Sequence, residues 1–276
     1  MQLPPASQWQ FTPDMRICRL LNGMWQVSGA HGRIDPTAAV QSMFDYHAAG
    51  FTTWDLADHY GPAEDFIGEF RRQLLARQGP EALSQFQALT KWVPQLGPIT
   101  PPIGEHNIDI AFTRRGVGTL DLLQFHWWDY EDRSYLDALT IMAQLRDAGK
   151  LTHLALTNFD SERLKIITEH GIRIVSNQVQ YSLIDLRPEV QMVPFCQAHD
   201  ISLLTYGTFC GGLLSDAYLG QPEPRGAALR TASLRKYKQM IDAWGGWELF
   251  QEWLTTLRKV VDKHGGYHVV KTVGSS

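Results

Sequence analysis

The chain has 276 residues, 44% of them hydrophobic and 20% charged, with a formal net charge of -4. That length suits one large barrel or two modest domains, and the weak negative charge gives no reason to expect nucleic acid or an anionic membrane as partner. No apolar run reaches the roughly 18 residues a spanning helix needs, and Met1 to Met15 lacks the basic-then-apolar order of a signal peptide, so a cytoplasmic protein is expected. Cys18, Cys196 and Cys210 are too few and too scattered for a disulfide framework and read as free thiols.

From residue 18 onward short apolar runs alternate with longer amphipathic stretches. The run 20–25 predicts a first strand, and Asp35-Pro36-Thr37 opens a helix with Asp35 as N-cap and Pro36 at the first helical position. Strand two is expected at 51–55 and a helix at 62–75. Strand three follows at 86–92 and a helix at 107–115, then strand four at 120–126 and a helix at 135–148. Strand five at 151–156, a helix at 160–170, strand six at 174–179, a helix at 188–199 and strand seven at 201–206 continue the pattern, with a last helix at 247–263. Strict alternation implies parallel strands with right-handed crossovers, and strands this short favour a (β/α)8 TIM barrel over an open sheet. No Gly-x-Gly-x-x-Gly follows the first strand, so the usual nucleotide loop of a doubly wound sheet is absent. Residues 1–276 read as one α/β domain.

In such barrels the reacting groups sit at the carboxyl ends of strands. Asp55 ends strand two, Lys91 strand three and His126 strand four, while Tyr60 lies five residues past Asp55 on the same rim. Taken singly, each has an ordinary structural use as a cap, a solvent-reaching amine, a core histidine or a packing ring. Together they form a chemical unit. A phenol donates protons poorly at neutral pH because its pKa is about 10, and a neighbouring ammonium favours its ionised form. A carboxylate would hold Lys91 charged and oriented, while His126 donates to the oxygen that Tyr60 protonates. A rival set of metal ligands for a barrel hydrolase, Asp55, His59, His126 and Asp129, leaves Lys91 beside Tyr60 unexplained, so no metal is expected.

The segment Trp54-Asp55-Leu56-Ala57-Asp58-His59-Tyr60-Gly61 resembles the Asp-x-Ala-x-x-Tyr-Gly signature of aldo-keto reductases. Leu89-Thr90-Lys91 and Leu123-Gln124-Phe125-His126 resemble that family's lysine and histidine segments, and the likeness runs from about Leu20 to Gly265. It implies a tetrad of Asp55, Tyr60, Lys91 and His126 with Tyr60 as acid/base, and NADP(H) passing a hydride to or from a small carbonyl or alcohol. Thr157-Asn158-Phe159 and Asn177-Gln178 resemble family segments, which implies that Asn158, with Thr157 beside it, and Gln178 as second partner bind the nicotinamide carboxamide. Tyr206 stands where the family stacks a ring on the nicotinamide, and the loop with Gly211 and Gly212 corresponds to the stretch along the pyrophosphate. Amide side chains offer the donor and acceptor a carboxamide needs. Trp25, Trp92 and Trp127, at the ends of strands one, three and four, are expected to wall a substrate pocket suited to an apolar or aromatic carbonyl.

The resemblance fails at residues 266–276, where a further helix, an eighth strand and a closing helix are expected. The eighth βα unit is therefore expected to be missing or atypical, and with it the groups that grip the 2′-phosphate. Residues 267–273 have strand character and are a candidate substitute. A barrel that binds cofactor with impaired turnover is the alternative function.

Overall fold

In a computed structural model, residues 7–265 are described. The atypical tail at 266–276 and its candidate substitute strand lie outside them. Chain contacts divide the molecule into two units, the first running to Val179 with Gln191–Leu204, the second comprising Gln180–Val190 and the residues from Thr205.

The first unit opens with an antiparallel hairpin, β1 (Gln8–Thr12) and β2 (Met15–Cys18). A parallel sheet follows in the order β3 (Asn22–Gly23), β4 (Thr53–Asp55), β5 (Gln87–Trp92), β6 (Leu120–His126), β7 (Leu151–Thr157), β8 (Ser176–Gln180) and β9 (Ser202–Tyr206). These are the seven strands expected from the alternation. No eighth parallel strand occurs among the described residues. Neighbouring strands lie about 4.8 Å apart, so β4 and β8 would be about 19 Å apart in a flat sheet. Instead Gln178 Nε2 on β8 donates to Asp55 Oδ1 on β4 at 2.9 Å, so the sheet curls round on itself as a barrel does.

Side chains alternate across a strand with period two, and that alternation sorts the barrel. Leu89, Leu122 and Ala155 share one cluster with Phe11, Met15 and Ile17 of the hairpin, which packs on the interior layer. Two residues further along each strand stand Lys91, Gln124 and Thr157. The opposite parity, Trp92, Leu123, Phe125, Leu154 and Leu156, packs in a different cluster with Ile108, Ala138 and Met142 of the surrounding helices. The hairpin had no signal beyond its apolar alternation and was not anticipated. His153 anchors its turn, with Nε2 at 3.1 Å from both Thr12 Oγ1 and Asp14 Oδ1.

Helix α1 (Pro36–Ala48) begins as expected, with Asp35 accepting from the Ala38 N–H at 3.0 Å. Helix α2 (Ala63–Ser84) outruns its expected end and breaks at Gly79, φ 82°, followed by Pro80. Helix α3 (Pro101–Arg115) starts two turns early because Pro101 and Pro102 occupy first-turn positions where no N–H is required. Helices α4 (Ser134–Asp147) and α5 (Ser161–Glu169) match expectation. The helix predicted at 188–199 is divided at Gln191 into α6 (Arg187–Val190) and α7 (Met192–Ala198).

The second unit holds α6, α8 (Ala232–Trp244) and α9 (Gly246–Lys263). Its core gathers Ile184, Leu213, Tyr237, Ile241, Trp247 and Phe250. Helix α8 was not anticipated. Its charged sequence hides a narrow apolar stripe, and it is capped by Thr231, whose side chain accepts from the Leu234 N–H.

Candidate active site

Asp55, the last residue of β4, is the hub. Lys91 Nζ reaches its two carboxylate oxygens at 2.8 and 2.7 Å and donates also to Leu56 O at 3.1 Å. Gln124 Nε2 and Gln178 Nε2 donate to Asp55 Oδ1 at 2.8 and 2.9 Å. Lys91 is 3% exposed; burial pushes its ammonium below the ordinary lysine range, and Asp55 opposes that shift. An ammonium buried this deeply is tolerable only because it is paired and hydrogen-bonded.

Tyr60 lies over this pair. Lys91 Nζ is 5.4 Å from its ring centroid, and the rings of Trp25 and His59 meet it edge-on at 5.1 and 4.9 Å. The turn that carries Tyr60 is fixed to β5 by Leu56 N donating to Leu89 O and Asp58 N to Lys91 O, both at 2.9 Å, and by Val93 N donating to Asp58 Oδ2 at 3.0 Å. His126 is buried at the end of β6, its ring 4.4 Å from that of Trp128. Burial, then the charges of His59 and Lys91, hold its pKa down at about 4, so the imidazole is neutral at pH 7.

His126, Thr157 and Gln178 are register partners across β6, β7 and β8 and so form one row. Thr157 Oγ1, Gln124 Oε1 and His126 Nδ1 are buried atoms with no hydrogen-bond partner among the described residues. Asn158 follows in the left-handed region, φ 63°, its side chain exposed. That strained turn is over-determined: Asn158 N donates to Gln178 O, Tyr130 OH donates to Asn158 O, and Asn177 exchanges two hydrogen bonds with the backbone of Phe159. The row therefore presents hydroxyl and amide groups suited to a carboxamide.

Two expected pocket residues are placed elsewhere. Trp92 and Trp127 are 3% and 1% exposed, and both pack on Phe125 in the core between sheet and helices. The reason is parity, since the residue after Lys91 and the residue after His126 face the opposite side of the strand. Trp128 stands beside His126 instead, and the Trp25 ring meets that of Tyr60. The rival metal ligands Asp55, His59, His126 and Asp129 are not gathered into a metal-holding group among the described residues. Gln124 is a further residue of the site that the motifs do not reveal; its spacing of two from His126 is the signal that it faces inward.

Tyr206, Gly211 and Gly212 belong to the second unit. Tyr206 ends β9 with Lys236 Nζ 4.7 Å from its ring centroid. Gly211 has φ 65°, and a Cβ there would come within 2.9 Å of the Tyr237 ring, so the glycine loop lies directly on α8.

The sequence profile of the aldo/keto reductase family matches residues 19–271. The chain belongs to this family. It is 31% identical over 180 residues to flagellar radial spoke protein 5 of Chlamydomonas reinhardtii, a match covering 57% of this chain but 33% of that protein. It is 20% identical over 259 residues to the NADH-specific methylglyoxal reductase of Escherichia coli, covering 84% of this chain and 78% of the relative. Among solved structures, an aldo/keto reductase from Klebsiella pneumoniae in complex with NADP and acetate superposes with a TM-score of 0.64 at 19% identity, over 75% of this chain and 70% of the other. That likeness establishes the barrel fold of the family. No helix among the described residues is long and apolar enough to cross a membrane.

Proposed function

We propose that this aldo/keto reductase interconverts a small carbonyl compound and its alcohol, with NADP(H) as cofactor and Tyr60 as the group that gives or takes the proton. The observation that carries the reading is the buried Lys91–Asp55 ion pair beneath the Tyr60 ring, with the neutral imidazole of His126 on the same rim. The cofactor, when bound, supplies or accepts the hydride. The chain's own residues do the rest. Asp55 holds the Lys91 ammonium charged beside the phenol, which favours release of the phenolic proton toward a carbonyl oxygen. Neutral His126 can donate a hydrogen bond to that oxygen as its charge grows. Thr157 Oγ1, buried without a partner, and the exposed amide of Asn158 would hold the carboxamide. Gln178 commits one N–H of its Nε2 to Asp55, so its oxygen and its second N–H would serve the carboxamide.

NADP(H) is favoured by the Klebsiella relative, solved with NADP, while the Escherichia relative is named for NADH; a parallel assay with the two cofactors decides between them. Trp25 and Trp128 supply aromatic flanks to Tyr60 and His126, which supports an apolar or aromatic carbonyl. The test is turnover of an aromatic aldehyde with NADPH by the wild type and by Tyr60→Phe. A loss of at least about a hundredfold in kcat with near-unchanged NADPH affinity is expected. Equal rates would remove Tyr60 from the mechanism.

A further inference from the structure

The turn bearing Tyr60 is gripped from two sides, and only the β5 side belongs to the tetrad. On the other side stands Arg114, in the last turn of α3. Its Nη2 donates to Gly61 O at 2.6 Å and its Nη1 to Asp58 O at 3.3 Å, so one guanidinium brackets the peptide that carries His59 and Tyr60. The same group donates to Glu64 Oε2 at 3.2 Å and to the two oxygens of Asp65 at 3.1 and 2.9 Å. Glu64 is 1% exposed, and its other oxygen accepts from Thr90 Oγ1 at 2.9 Å, on the strand residue next to Lys91. The fork therefore joins the Tyr60 turn, the first turn of α2 and β5.

The backbone is arranged to allow this. A Cβ on Gly68 of α2 would lie 2.1 Å from Arg114 O, so the end of α3 reaches this position only because residue 68 has no side chain. The ion pair with Asp65, which is 56% exposed, is screened by solvent and contributes little, and the pair with the buried Glu64 ties Arg114 to α2. The contacts to two backbone carbonyls on the turn are in excess of that. They need a planar donor set that lysine, a point charge, cannot reproduce.

We propose that Arg114 is a positioning residue for Tyr60, fixing the phenol over Lys91 by holding the carbonyls of Asp58 and Gly61. The proposal rests on the reading of Tyr60 as the acid/base. Its test compares the full-length wild type with Arg114→Lys, Arg114→Gln, Asp65→Asn and Tyr60→Phe. Two readouts are taken: kcat and KM for an aromatic aldehyde with NADPH, and ultraviolet titration of the Tyr60 phenol in cofactor-free protein, by difference from the same background carrying Tyr60→Phe. Two Arg114 variants are used so that one may fail to fold without losing the experiment.

Arg114→Lys or Arg114→Gln is expected to lower kcat about tenfold to a hundredfold, as a displacement near 1 Å would, with KM and NADPH affinity within about twofold of wild type. The phenol should titrate at higher pH in these variants, having moved from the ammonium, while Asp65→Asn leaves both readouts unchanged. If Asp65→Asn reproduces the loss, an ion pair between helices suffices and the proposal falls. It falls equally if the Arg114 variants keep wild-type kcat and phenol titration while Tyr60→Phe is inactive. If Tyr60→Phe keeps the wild-type rate, the acid/base reading fails instead, and the titration alone decides whether Arg114 sets the environment of Tyr60.

Discussion

At Asp55 one carboxylate oxygen accepts from Lys91 Nζ, Gln124 Nε2 and Gln178 Nε2, which draws β5, β6 and β8 to the end of β4. That density of donors keeps a nearly buried ammonium charged and in place. His126 is governed by the reverse effect, since burial and nearby cations keep it neutral. Its folded pKa, about 4, is depressed from 6.5, so its contribution to stability is present above pH 6.5 and is lost as pH falls toward 4. The wild type should therefore lose about 2–3 kcal/mol more than His126→Asn between pH 7 and pH 4.5, read by urea unfolding at both pH values. Parallel pH dependence in the two proteins would contradict a depressed His126. Of the residues singled out from sequence, Asp55, Tyr60, Lys91 and His126 come together because a strand end is readable from apolar runs. Trp92 and Trp127 lie in the core and not at the pocket, because each follows an inward-facing residue, Lys91 or His126, and so takes the opposite face.

Among the elements, α2 and α3 approach so closely that position 68 can carry no side chain. Gly68→Ala would drive a methyl group into the Arg114 carbonyl, and overpacking of this kind costs about 1–3 kcal/mol. A lowered midpoint in thermal unfolding is expected; an unchanged one would mean that α3 can recede freely. Helix starts were legible where a cap stood in the sequence, as at Asp35 and Asp160, each of which accepts a backbone N–H three residues on. At α3 the expected start, 107, missed the first residues, although proline at 101 and 102 is well suited to a first turn. The break within α2 has a local cause, Gly79 at φ 82° followed by Pro80, which lacks the N–H that an uninterrupted helix would use.

For the molecule as a whole, the N-terminal hairpin is a packing element rather than a part of the chemistry. Phe11, Met15 and Ile17 join the interior layer formed by Leu89, Leu122 and Ala155, which stand two residues before Lys91, Gln124 and Thr157 of the candidate site. Ile17 is 1% exposed, and Ile17→Ala should cost about 2–5 kcal/mol of stability while leaving kcat unchanged well below the unfolding transition. A fall in kcat at full folding would show that the two ends of the barrel are coupled.

The sequence by itself determined the alternation of strands and helices, because hydrophobic period is a local property, and it pointed to the family through short motifs and to four candidate side chains at or just past strand ends. Only the tertiary structure decided that Gln124 and Gln178 serve Asp55 and that Arg114 holds the turn of Tyr60. Each of those depends on curling the sheet or on a close helix approach, which brings together residues tens of positions apart, and no local pattern records such distances.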